Sequence, residues 1–293
     1  MSENTATGPI GPWWEVPWWA EEVYSKESGW SPSQIALAFA NLRDVFSDKW
    51  SREVGPHPML PELFNARGLS PFTFLFKLGD DLGILLQKNL LGDLPRRLRS
   101  ADEFDGARAE LRALAQWTTA GLKIERNVLA GNGNRNCDWK VSEADTTIYG
   151  EVKCIEPAQA NKRPDVIDPF PWEREPMSFD LAAEGDKAMN VVEENADQIP
   201  AQGPGVFMIF GRGAAAALPF SAAAGNRIVV RFKSAKAALR HIAGILVIKT
   251  FLYPEQGLVQ HTIFVKNPCG VDLSLDLLKT GIPDLILWEG SKT

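Results

Sequence analysis

The stretch that decides the fold runs from residue 137 to residue 155 and reads CDWKVSEADTTIYGEVKCI. Its two halves, CDWKV and TTIYGEVKCI, are rich in β-branched and aromatic residues, which is typical of strands. The polar residues between them, including Glu143 and Asp145, predict a turn that faces water. Two neighbouring strands joined by this turn would bring Asp138 and Glu151 to the same end of a sheet.

Alternation along the second strand adds a cation to these carboxylates. Side chains two residues apart in a strand point to the same face, so Glu151 and Lys153 share a face. Two carboxylates and an ammonium at the rim of a sheet are costly to bury unless a partner compensates them. Carboxylate oxygens suit Mg²⁺, which keeps several waters for chemistry. Asp138, Glu151 and Lys153 are therefore a candidate metal and catalytic centre.

Helix and strand patterns alternate on both sides of this stretch. Before it, KIERNVL (123–129) predicts a strand and GNGNRN (131–136) a turn. After it, residues 157–178 are expected to form a surface loop, followed by a helix at about 180–199 and a buried strand, GVFMIFG (205–211). Mixed elements follow: NRIVVRF (226–232), a predicted helix SAKAALRHIAG (234–244), and predicted strands ILVIKTFLY (245–253) and VQHTIFVK (259–266). A predicted helix LSLDLLK (273–279) and strand DLILWEG (284–290) close the chain. This order indicates an α/β fold with a mixed central sheet flanked by helices.

Residues 31–120 are predicted to be mainly helical. Ser31-Pro32 is typical of a helix start, with proline at the first helical position. The apolar residues that follow recur near helical periodicity: Ile35, Leu37, Phe39, Leu42, Val45 and Phe46. The pattern continues in FTFLFKLGDDLGILLQKNL (72–90), where Asp80 and Asp81 are expected on a solvated face. A further helix is predicted from Asp102 to about Thr119.

Asp138, followed after a short gap by Glu151-x-Lys153, resembles the PD-(D/E)xK signature of the restriction-endonuclease-like nuclease superfamily. The resemblance covers roughly residues 100–265. It divides the chain into a helical, Trp-rich N-terminal extension (1–100) and a restriction-endonuclease-like core (101–293). It implies a divalent-metal-dependent nuclease that hydrolyses phosphodiester bonds in nucleic acid, with DNA as the first expectation and Mg²⁺ or Mn²⁺ as the cofactor.

The resemblance also implies roles for the motif residues. Asp138 and Glu151 would hold the metal, and the carbonyl of Val152 would be an additional ligand. Lys153 would position the attacking water and stabilise charge in the transition state.

The same resemblance bears on three further positions. Glu110, on the helix before the core strands, would add a contact near the metal. Gln198, near the end of the helix after the motif, would orient the site. Cys137 stands where the signature has proline, a change that touches none of the metal ligands.

Other interpretations of the same residues remain open. Glu151 and Lys153 could be an ordinary pair on a solvated strand face. The chain could also be a non-catalytic interaction protein that retains a nuclease-like scaffold, because a fold does not decide a function. A third alternative is an enzyme acting on a small phosphorylated molecule. The pattern does not separate DNA from RNA.

Other catalytic patterns are absent from the sequence. The glycine-rich GRGAAAA (211–217) lacks the third glycine of a dinucleotide-binding turn. No GxSxG elbow is present, so a serine hydrolase is not indicated. His57, His241 and His261 show no paired spacing and receive no ligand role.

The charge and the tryptophans limit the expected partners. The formal net charge of −6 counts against broad non-specific DNA binding, which depends on lysine and arginine. Four of the ten tryptophans lie in PWWEVPWWAEEV (12–23). No lysine or arginine interleaves with them, which disfavours a platform for stacked bases. We expect this segment to pack over the domain, onto a second copy of the chain, or onto a protein partner.

Cysteine usage and hydropathy indicate the compartment. Cys137, Cys154 and Cys269 lack CxxC spacing and fit a reducing cytosol. No apolar run approaches the roughly 20 residues of a membrane span, and the first residues lack a secretory pattern. The expected location is the cytoplasm, with no membrane partner.

Overall fold

A computed structural model of the chain describes residues 30–60, 69–130, 135–155, 181–211, 221–253 and 257–288. The Trp-rich segment 12–23, the predicted loop 157–178, residues 131–134 of the glycine turn and residues 212–217 of GRGAAAA lie outside these ranges. The chain divides into two compact units. One comprises Met1–Arg112 with Leu252–Val259, and the other Ala113–Phe251 with Gln260–Thr293. The proposed domain division at residue 100 stays a prediction.

The described ranges contain the following helices and strands. The helices are α1 (Pro32–Val45), α2 (Asp48–Glu53), α3 (Leu69–Gln87), α4 (Leu94–Leu98), α5 (Phe104–Thr119), α6 (Leu181–Asn195), α7 (Ala222–Ser234) and α8 (Leu275–Gly281). The strands are β1 (Lys123–Leu129), β2 (Asn136–Glu143), β3 (Thr146–Ile155), β4 (Gly205–Gly211), β5 (Ile242–Tyr253), β6 (Gly257–Lys266) and β7 (Leu285–Trp288). A 3-10 turn, Ala196–Gln198, follows α6. Within these ranges no helix is both long and apolar enough to cross a bilayer.

The sheet is mixed, and its seven strands lie in the order of the sequence. The pairs β1–β2 and β2–β3 are antiparallel, whereas β3–β4, β4–β5 and β6–β7 are parallel. The expected α/β class, with a mixed central sheet flanked by helices, is therefore confirmed. The predicted strands around the motif are also confirmed, since KIERNVL forms β1 and the two halves of the motif stretch form β2 and β3.

Hydrophobic side chains from α6 and α7 cover the β3–β5 part of the sheet. They form a buried cluster with the strands, whose members include Met189, Phe207, Ile209, Ile228 and Phe232. Glu151 lies opposite Phe207, and Lys153 opposite Ile209, in the parallel pairing of β3 with β4. Since paired residues share a face, the motif side chains of β3 belong to the face that carries this core.

Two tryptophans pack on the other face of the motif hairpin. The rings of Trp117 and Trp139 lie 5.2 Å apart and are both fully buried. A Cβ atom on Gly150 would come within 1.9 Å of the Trp139 ring. Glycine at this position of β3 thus leaves the space that the indole occupies, which fixes how β2 and β3 lie together.

The helical prediction for residues 31–120 is confirmed for the described part, and α1 starts where its first residues indicate. Ser31 and Gln34 form a reciprocal capping box, and Pro32 is the first helical residue. Leu37 lies in the predicted helix, but its side chain is 55% exposed and is not part of the buried side. Ile35 and Phe39 are four residues apart and share the buried side of α1, and Leu37 lies about 200° around the helix from Ile35.

The sequence led us to expect Asp81 on a solvated face, and this prediction was wrong. Asp81 is buried, and Arg112 Nη1 donates to its Oδ1 at 2.7 Å. The pairing explains the burial, because a buried carboxylate requires a compensating donor. Arg112 lies on α5, far along the chain, so the helical pattern around Asp81 did not indicate its partner.

The predicted helix SAKAALRHIAG is also wrong. Its residues after Ser234 form turns and then the start of β5, while the preceding NRIVVRF lies inside α7. Helix α7 begins at Ala222, well before the predicted helix, because Ser221 Oγ caps it by accepting from Ala224 N–H at 3.2 Å. Arg227 and Arg231 of this helix then form ion pairs with Asp186 of α6.

Candidate functional site

The motif carboxylates lie where the regular pairing of β2 with β3 ends. This pairing extends from Glu143 and Thr146 to Trp139 and Gly150. Beyond that point, side chains bond to the backbone. Val152 N–H donates to Asp138 Oδ2 at 2.7 Å, and Asp138 N–H donates to Glu151 Oε2 at 3.2 Å. The two carboxylates therefore fix the separating ends of the strands and each other's position.

Lys153 joins these carboxylates to the turn after α6. Its Nζ donates to Glu151 Oε1 at 2.7 Å and to Gln198 Oε1 at 3.0 Å. The Glu151 side chain is only 4% exposed, whereas that of Lys153 is 25% exposed. We call Asp138, Glu151, Lys153 and Gln198 the strand cluster. Protein encloses the Glu151 carboxylate, whereas Asp138 is half-buried and the Lys153 ammonium is partly exposed to solvent.

The turn that carries Gln198 is held by two further contacts. His241 Nε2 donates to the Ala196 carbonyl at 2.8 Å, and Arg135 forms an ion pair with Asp197 at 2.5 Å. Neither contact could be predicted from a local sequence pattern. His241 and Arg135 meet this turn only through the tertiary fold, and the sequence had assigned His241 no role. Both contacts are made by the residues that immediately precede Gln198 in the turn.

Cys137 lies next to the cluster and is buried. Burial, and after it the charges of Glu151 and Asp138, raise the pKa of the Cys137 thiol to about 12. The thiol is therefore neutral at physiological pH and donates weakly to the Trp139 carbonyl at 3.5 Å. A neutral, buried thiol is a poor nucleophile, so Cys137 acts here as a small packing residue.

Five of the predicted site residues come together, and the sixth belongs to the other compact unit. Asp138, Glu151, Val152, Lys153 and Gln198 are linked by the bonds described above. Glu110 lies in the unit that contains Met1–Arg112, where its buried carboxylate forms an ion pair with Arg97 of α4. The proposed contact of Glu110 with the metal stays a prediction.

The strand cluster offers carboxylate oxygens, the kind of ligand that a divalent cation such as Mg²⁺ prefers. Within the described ranges no group of three or more histidine, cysteine, aspartate or glutamate side chains is placed to hold a metal. The cluster offers two carboxylates, with the backbone of Val152 bonded directly to one of them. Mg²⁺ is commonly bound by one or two carboxylates while waters complete its shell. Asp138 and Glu151 therefore fit Mg²⁺ or Mn²⁺, and they do not form an all-protein cage.

The described chain is a mixed α/β protein with this polar cluster at the end of a strand pair. No family model, curated protein or solved structure matches it. The geometry of the cluster and the sequence pattern that carries it are therefore the observations that bear on function.

Proposed function

We propose that this chain is a divalent-metal-dependent nuclease with a restriction-endonuclease-like fold. It would hydrolyse phosphodiester bonds in nucleic acid, with DNA as the first substrate to test. The observation that carries the proposal is the strand cluster. Two carboxylates, an ammonium and an amide from three segments are linked by hydrogen bonds of 2.7–3.2 Å.

The order of elements around the cluster supports the proposed fold. A helix (α5) precedes the three antiparallel strands β1–β3, and another helix (α6) leads to the buried strand β4, which lies beside β3. This is the order that the resemblance to the PD-(D/E)xK nucleases implies. Asp138 on β2 and Glu151 and Lys153 on β3 occupy the motif positions within that order.

Asp138 and Glu151 would hold the metal, together with the carbonyl of Val152. When bound, the ion would lower the pKa of a coordinated water and offset negative charge on the phosphate. The bonds to Val152 N–H and Asp138 N–H place both carboxylates before any cation arrives. Because the side chains are already ordered, metal binding does not have to supply the free energy of ordering them.

Lys153 is the group that would act on the reacting atoms. An ammonium has three N–H donors, and two of those of Lys153 are used by Glu151 and Gln198. In the described part of the chain the third has no protein acceptor, and the side chain is partly exposed. That donor would hold the attacking water or a phosphate oxygen, where a fixed positive charge stabilises the transition state. Glu151 and Gln198 would keep the ammonium in place.

The cysteines and the net charge bear on where this nuclease would act and how it would contact its substrate. Among the described residues Cys137, Cys154 and Cys269 form no disulfide, which fits action in a reducing cytoplasm. The net charge of −6 means that substrate contacts must be local, since the whole chain does not attract polyanions.

The first test is cleavage of plasmid, linear duplex and single-stranded DNA and of RNA, with Mg²⁺ or Mn²⁺. Wild type is compared with Asp138→Asn, which keeps an acceptor for Val152 N–H but removes the charge. We expect metal-dependent cleavage that stops with EDTA and falls at least about 100-fold in the variant. Wild-type cleavage by Asp138→Asn would overturn the assignment of this residue.

Calorimetric titration with Mn²⁺ gives a measurement that does not depend on catalysis. We expect wild type to bind the ion and Asp138→Asn to bind it much more weakly. A wild-type protein that neither binds Mn²⁺ nor cleaves any of the substrates would overturn the nuclease proposal. The result would favour the alternative of an interaction protein on a nuclease-like scaffold.

A further inference from the structure

Asn127 has an unusual backbone conformation for a residue inside a strand. Three non-glycine residues in the described ranges have positive φ: Asn89 (57°), Asn127 (51°) and Ala144 (49°). Asn89 follows the end of α3, and Ala144 lies in the turn between β2 and β3, where chain reversal requires such angles. Asn127 lies within β1, where no turn requires one.

The pairing of β1 with β2 shows which residue Asn127 faces. Arg126 pairs with Trp139, and Val128 pairs with Cys137, so the register is the same on both sides of Asn127. No residue is inserted, which excludes a β-bulge as the cause of the positive φ. The position of Asn127 is therefore opposite Asp138, at a backbone separation of about 5 Å.

This position belongs to the same face of the sheet as the strand cluster. Two residues before Asn127, Glu125 accepts from Lys140 Nζ at 3.2 Å, and Lys140 lies two residues after Asp138. Positions two apart share a face, so the bond aligns this face of β1 with the Asp138 face of β2. Asn127 is exposed, and among the described residues its side chain makes no hydrogen bond.

Left-handed backbone at a non-glycine residue is unfavourable, although asparagine tolerates it better than most. Such strain is found at active sites and ligand clamps, where the surrounding structure maintains it. Here it occurs opposite Asp138, and it presents an amide to solvent beside the carboxylates. A neutral N–H donor suits a phosphate oxygen at this place, since it forms a hydrogen bond without competing with the metal for the carboxylates.

We propose that Asn127 is a substrate contact, whose side-chain amide donates to a phosphate oxygen of the nucleic acid bound at the strand cluster. This inference rests on the proposed nuclease function. Contacts to phosphate position the substrate without reading its sequence. Asn127 therefore contributes to affinity for the nucleic acid equally across base sequences.

Asn127→Gly separates this role from a purely structural one. Glycine adopts positive φ without strain, so the fold keeps or gains stability while the amide is lost. We expect the dissociation constant for a fluorescent duplex, measured by anisotropy in Ca²⁺, to rise about 10-fold or more. Ala144→Gly is the matched control, because it relieves the same backbone strain in the hairpin turn. It should bind like wild type.

Asn127→Asp adds a second measurement. It keeps the shape of the side chain but replaces the donors with a negative charge, so we expect weaker binding than for Asn127→Gly. If wild type binds and cleaves while Asn127→Gly matches Ala144→Gly in affinity, the inference is overturned and the nuclease proposal stands. If wild type neither binds nor cleaves any tested nucleic acid, the nuclease proposal fails and the inference fails with it.

Discussion

Two of the buried carboxylates that pair with a cation in the described chain lie in regions that differ in what else they contain. In the first, which we call the helical pair, Arg112 of α5 donates to Asp81 of α3 at 2.7 Å. In the strand cluster, Lys153 donates to Glu151 at the same distance. The strand cluster also holds a second carboxylate and an amide. The distances are equal, so the composition and connections of the two regions distinguish them.

The comparison shows that a buried, perturbed carboxylate does not by itself indicate a catalytic site. Burial raises the pKa of Asp81 to about 6, against the opposing charge of Arg112. Ion pairs that only pack helices perturb pKa values just as active sites do. The strand cluster is different because backbone N–H groups bond to both of its carboxylates, and its ammonium donates to an amide as well as to Glu151 and is partly exposed. Those features, more than burial, are the ones on which the proposed nuclease function rests.

Removing the cation from each region should give the largest contrast. We expect Lys153→Met to lower cleavage at least about 100-fold, because the charge that stabilises the transition state is lost. Arg112→Met should leave cleavage within about 2-fold of wild type but lower the free energy of unfolding by about 3 kcal/mol, since Asp81 loses its partner. Single-turnover cleavage and urea unfolding measure the two effects. Equal losses of cleavage in both variants would remove the distinction between the regions.

Gln198 tests whether the amide positions the ammonium. We expect Gln198→Ala to lower cleavage about 10-fold, a typical effect for a group that orients an active-site residue. The matched control is Asn195→Ala, which removes an amide bonded to the Val191 carbonyl at 2.7 Å at the end of α6. It should lower stability slightly without a comparable loss of cleavage. Unchanged cleavage by Gln198→Ala would show that Glu151 alone is sufficient to hold Lys153.

A smaller effect is expected from the helical pair when the pH is changed. Because the pKa of Asp81 is raised from 3.8 to about 6, the folded state retains a proton that the unfolded state has released. This contribution to stability is complete below about pH 4 and is lost as the pH rises through about 6. Relative to Asp81→Asn, wild type should therefore lose unfolding free energy between pH 4 and about 6.5. Urea unfolding of both proteins over this range measures the difference. A relative gain for wild type would mean that Arg112 outweighs burial.

The local pattern predicted the motif strands well. The β-branched and aromatic residues around Asp138 and Glu151 indicated two strands and a turn, and the structure contains β2, the turn and β3 there. The shared face of Glu151 and Lys153 followed from the two-residue repeat of a strand. The helix SAKAALRHIAG was misplaced for the opposite reason. Its composition favoured a helix, but the cap at Ser221 and contacts with α6 placed the helix earlier.

What the sequence determined by itself was the class of fold and the grouping of Asp138, Glu151 and Lys153, because these depend on periodicity over a few residues. The tertiary structure alone decided that Gln198 meets Lys153, that Asp81 is buried against Arg112, and that Asn127 lies opposite Asp138. Each of these arrangements involves different helices, strands or turns. Their formation depends on the register and packing of whole elements, which no short stretch of sequence specifies.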